Sequence, residues 1–136
     1  MCILDWQASV VRSPVYDLAY FLYSTCSTIL DRVDELLREY HDSFSDFIRQ
    51  LGSSPELFTF EDLQRHWKKY SVVGVTFLPF LLKLILIDEN DAPDFGNLKE
   101  GEDVGELMNV VPMSDKKQYF ERAKAAFAHH AETCMD

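Results

Sequence analysis

The chain has 136 residues, enough for one domain with one core, and its 47% hydrophobic content with ten Phe excludes a disordered chain. A formal net charge of -10 at pH 7 excludes nucleic acid and anionic membrane surfaces as partners, since both repel an acidic chain. Cys2, Cys26 and Cys134 are far apart, odd in number and without a C-x-x-C spacing. The chain therefore reads as reduced and cytoplasmic, with no disulfide framework.

Residues 2–5 read as one short apolar strand. A lone strand cannot satisfy its own backbone groups, so its sheet partners are expected upstream of Met1. Residues 17–25 read as a short apolar helix with Leu18, Phe21 and Leu22 on one face. Residues 27–51 form the clearest helix. Ile29, Val33, Leu36, Leu37, Tyr40, Phe44, Phe47, Ile48 and Leu51 recur at steps of three and four, the spacing of one buried stripe. Gly52 is placed as a left-handed C-cap, and Pro55 prevents continuation.

Thr59 is placed to N-cap the next helix, with Asp62 completing a partial capping box. From residue 71 to 87 the chain is apolar nearly all round, with Lys83 its single charge. At 17 residues, broken by Gly74 and Pro79, this run is shorter than the ~20 residues a membrane span needs. It is expected to be a buried core helix, kinked at Pro79. Residues 88–113 hold an acidic, glycine-broken flexible loop. Its start at Asp88 and Asn90 suggests a calcium loop, but Pro93 and Lys99 stand where that loop needs Gly and Glu. Ser114 is placed to N-cap a final helix whose apolar face is Tyr119, Phe120, Ala123 and Phe127 and which frays near His129 and His130.

Asp5 ends the apolar strand as part of Asp5-Trp6-Gln7, and Asp17 opens Asp17-Leu18-Ala19-Tyr20-Phe21-Leu22 after Ser13-Pro14. A carboxylate at a strand end suits Mg²⁺, a hard cation that keeps substrate phosphates in its shell. A turn Asp is the simpler reading of Asp5, and an N-cap the simpler reading of Asp17. The paired segments resemble the ecdysteroid-kinase-like (CHK-kinase-like) family, related to choline kinases and aminoglycoside phosphotransferases. The similarity continues through Glu39-Tyr40-His41, Leu51-Gly52, the helix opening at Phe60 and Phe77-Leu78-Pro79, and covers most of residues 2–95.

The resemblance implies a mainly α fold: the C-terminal helical lobe of a protein-kinase-like fold, with one short N-terminal strand. It implies that Asp5 binds Mg²⁺ and, through it, the ATP phosphates, in the position of the Asp-Phe-Gly aspartate of protein kinases. Trp6 then stands for the usual Phe. It implies that Asp17 receives backbone hydrogen bonds from the catalytic loop. The intact family transfers the γ-phosphate of ATP to a hydroxyl of a small alcohol or steroid. Trp67, Tyr70, Phe77 and Phe80 are candidates for the acceptor wall, and core packing explains them as well.

Such kinases also need a base from an H-x-D-x-x-x-x-N loop and a phosphate-binding Lys, both upstream of the magnesium Asp. Only four residues precede Asp5. The expectation is therefore a partial lobe over 1–136, inactive on its own. A non-catalytic helical module that binds a protein partner is the alternative.

Overall fold

The structure, a computed structural model, describes residues 10–25, 27–92, 105 and 112–135. Among them are five α-helices: α1 (Val15–Thr25), α2 (Val33–Gln50), α3 (Phe60–Tyr70), α4 (Val72–Ile85) and α5 (Lys116–Cys134). Short 3₁₀ turns lie at Ser27–Arg32, Pro55–Leu57 and Glu89–Asp91. The fold is mainly α, as expected. The strand expected at residues 2–5 lies outside the described residues, as do 93–104 and 106–111 of the acidic loop.

Local chemistry sets the helix ends. Gly52 sits at φ 80 just past α2. Its N–H bonds the Arg49 carbonyl, and the Ser53 N–H reaches back to Ile48 at 3.1 Å. This is the Schellman closure that a left-handed glycine permits. At α3, the Thr59 hydroxyl accepts from the Asp62 N–H while the Asp62 carboxylate accepts from the Thr59 N–H, a full capping box. The N-cap of α5 is Asp115, whose carboxylate accepts from the Gln118 N–H at 2.8 Å. The expected cap, Ser114, instead accepts from the Asp88 N–H at 2.9 Å and ties the acidic segment to the start of α5. Asp115 wins because its side chain lies one residue nearer the first free amides.

The core gathers Val15, Ala19, Leu22 and Tyr23 of α1, Val33 and Leu37 of α2, Leu63 and Trp67 of α3, and Val75, Leu78 and Leu82 of α4. Helices α1 and α4 pack closely at Gly74. A Cβ there would stand 2.5 Å from the Ala19 carbonyl oxygen and 2.7 Å from Tyr23 Cδ2. Only hydrogen fits at this crossing, which explains a glycine in the first turn of α4. Ser71 alone separates α3 from α4. The helix α4 continues through Pro79 for 14 residues. No helix among the described residues is long and apolar enough to cross a membrane.

Two apolar faces differ from the sequence expectation. Phe21 is 64% exposed, whereas Leu22 is buried as expected and α1 also buries Val15, Ala19 and Tyr23. The helix is apolar on several sides, so periodicity alone does not select its inner face. The last helix does not fray at the histidines but runs to Cys134, with Ala126 and His130 buried. Phe120 and Phe127 face outward. The buried stripe of α5 follows Tyr119, Ala123, Ala126, His130 and Cys134.

Candidate functional site

The chain leading into α1 is anchored from three sides. The Ser13 hydroxyl pairs with His66 Nδ1 at 2.9 Å. It also accepts from the Val15 N–H at 3.3 Å. Tyr16 packs on Tyr70 with centroids 5.6 Å apart, and the Arg12 guanidinium lies over the Tyr16 ring at 5.2 Å. An aromatic series continues from Tyr70 through His66, Phe58 and Phe44 to Tyr40. Each step is tilted, edge-on or offset, as ring quadrupoles favour.

Asp17 is exposed in the first turn of α1. The helix begins two residues earlier, at Val15, so Asp17 is not its N-cap. Its negative charge suits the positive helix end. It lies near Tyr40, whose hydroxyl is held above the usual phenol value by burial and, secondarily, by the Asp17 charge. Asp5 lies outside the described residues. Of the aromatic candidates for an acceptor wall, Trp67 is buried and Tyr70 half-buried against Tyr16, while Phe77 and Phe80 face outward.

A second constellation, not anticipated from sequence, centres on Trp67. On one side is a closed polar cluster. Tyr23 stacks on Trp67 with centroids 5.8 Å apart. The Tyr23 hydroxyl pairs with His129 Nδ1 at 3.2 Å. The buried Ser71 hydroxyl pairs with His130 Nδ1 at 3.3 Å and lies 3.5 Å from Cys134 Sγ. Burial, reinforced by the nearby Cys134, pushes the Tyr23 hydroxyl far above the usual phenol range, so it stays protonated. Burial and the neighbouring His129 hold the His130 imidazole below its ordinary value.

On the other side is an open cleft of about 470 Å³. Leu30, Val33, Leu37 and Trp67 supply its apolar wall. Asp31, Asp34, Lys68, His129 and Glu132 supply its polar lining. His129 is shared by both regions. Burial lowers its affinity for a proton, and the charges of Asp31, Glu132 and Asp34 work in the opposite direction. Three carboxylates from two ends of the chain therefore converge on one imidazole. Among the described residues, no group of three or more His, Cys, Asp or Glu is arranged to hold a metal ion.

The family model described as Uncharacterized oxidoreductase dhs-27 (DUF1679) matches residues 1–111. The chain belongs to this family, a family of ecdysteroid-kinase-like proteins. No curated protein and no solved structure matches it. The matched stretch includes Asp5, Asp17 and all of α1 to α4; the last helix, with His129 and Glu132, lies beyond it.

Proposed function

We propose that this chain is the C-terminal helical portion of an ATP-dependent kinase that phosphorylates a hydroxyl of a small alcohol or steroid. Family membership over residues 1–111 carries the reading, because the Asp5 to Leu22 motif lies inside that stretch. The mainly α character of the described residues fits a lobe that shapes an acceptor pocket rather than one that cradles a nucleotide.

Asp5 would hold Mg²⁺. Its donor chemistry fits, since that ion takes one or two carboxylates and completes its shell with phosphate oxygens and water. When bound, the ion neutralises charge on the transferring phosphoryl group. Asp17 would orient the catalytic loop by accepting its backbone N–H groups, a task for an ionised acceptor near a helix start. These 136 residues contain no H-x-D-x-x-x-x-N motif. The general base would come from outside them, and the chain alone is expected not to turn over ATP.

Calorimetric titration of Mg²⁺-ATP into the purified chain tests this reading. Binding by the parent chain that disappears in Asp5→Ala supports it. Equal absence of binding in both contradicts a nucleotide site here. A second reading, a helical module that docks onto a protein partner, is favoured by the exposure of Phe21, Phe77 and Phe120 at 64%, 54% and 64%. A chain that binds no nucleotide yet self-associates or captures a defined partner through these rings would bring it forward.

A further inference from the structure

We propose that the cleft beside Trp67 is a binding site for a small organic cation with an apolar body, such as an aryl- or alkylamine. Its volume of about 470 Å³ falls within the range of small-ligand pockets, ~300–1,000 Å³. One wall is the buried indole of Trp67, the best side chain for receiving both an apolar body and a cation. Around it stand the carboxylates of Asp31, Asp34 and Glu132, against the single ammonium of Lys68.

The ion pairs Arg32–Glu35, Arg49–Asp46, Arg65–Asp62 and Lys117–Glu121 lie outside the cleft. The helix end points the same way. Glu132 lies in the last turn of α5, where carbonyl ends carry partial negative charge and a basic side chain is the usual complement. That turn has no basic residue. Carboxylates and a helix C-terminus thus add at one apolar-walled cavity, while the neutral His129 imidazole leaves the excess negative charge uncancelled.

The inference stands apart from the phosphoryl-transfer reading, since it uses neither Asp5 nor Asp17. Its test compares three probes of one shape: phenethylammonium, neutral 2-phenylethanol and phenylacetate. The full chain is titrated with each while the indole N–H resonance of Trp67, assigned with Trp67→Phe, is followed by NMR. The ammonium is expected to give a saturable shift and to bind roughly tenfold more tightly than the alcohol, since several exposed charges each contribute modestly. Phenylacetate is expected not to bind. Asp34→Asn with Glu132→Gln should remove that preference while leaving the fold, judged by circular dichroism, unchanged. Asp5→Ala should leave amine binding intact, which separates this result from failure of the nucleotide site. Equal binding of amine and alcohol, or no saturable shift with any probe, would overturn the proposal.

Discussion

The two sides of Trp67 are built from different side chains and behave differently. On the closed side, the Tyr23 hydroxyl pairs with His129 and the Ser71 hydroxyl with His130, beside Cys134. On the open side, Asp31, Asp34 and Glu132 gather at a cavity whose lining has Lys68 as its single ammonium. Of two adjacent residues on one helix, His129 reaches both regions and His130 belongs to the closed one. A buried polar group must be paired within the fold, whereas a group left at an open cavity is available to something else. The closed cluster joins α1, α3, α4 and α5, and the proposed cation site lies in the cleft.

Substitutions can break or sharpen that contrast. The largest effect is expected from Trp67→Ala, because the indole is common to both regions: about 3–5 kcal/mol of stability lost by urea denaturation, together with the cleft's wall. Next comes Gly74→Ala. Its methyl would press on the Ala19 carbonyl and the Tyr23 ring, costing about 1–3 kcal/mol by overpacking. Neither neighbour is a flexible chain end that can move aside cheaply. The closed region should fail with it, visible as early exchange of α5 amides.

Acidification gives a smaller, graded effect. The folded state holds His130 below the ordinary imidazole value of 6.5. Below that pH the unfolded chain binds more protons than the folded one, so stability is complete above it and declines as the pH falls toward the folded value. Thermal melts between pH 7 and pH 5 should show this decline, and His130→Gln should reduce it, the rest coming from His129, which burial also holds low. Thr59→Ala removes a cap distant from both regions and should cost about 1 kcal/mol, with amine binding unchanged. The smallest stability effect belongs to Asp34→Asn, an exposed change expected within about 0.5 kcal/mol of the parent. If it were instead strongly destabilising, the open region would be structural too.

Much of this fold was legible because it is local. The Gly52 closure and the Thr59–Asp62 box are each set by a few neighbouring residues, and both occur where the sequence places them. The stripe of α2 was legible as a stripe, although Phe47 and Leu51, at 57% and 64% exposure, lie beyond the reach of the core. The inner faces of α1 and α5 were not legible. Their outward Phe residues compete with small buried ones, and Ala19 and Ala126 win because close helix approach favours small side chains. His129 and His130 looked like a polar fray. Only the spacing from Tyr119 through Ala123 and Ala126 to His130 hinted that the stripe continued. The cleft left no local trace, since it joins residues 31–34, 64–68 and 129–133 through the packing of α5. Asp5, the most suggestive residue of the sequence, lies outside the described residues.

The division between a closed and an open side is tested most directly at the two adjacent histidines. Their imidazole resonances, assigned with His129→Gln and His130→Gln, can be titrated with pH in the presence and absence of saturating phenethylammonium. A bound cation beside His129 should make that ring harder to protonate and leave His130, sealed against Ser71, unchanged. If both titrations moved equally, or only that of His130 did, the two regions would not be separate.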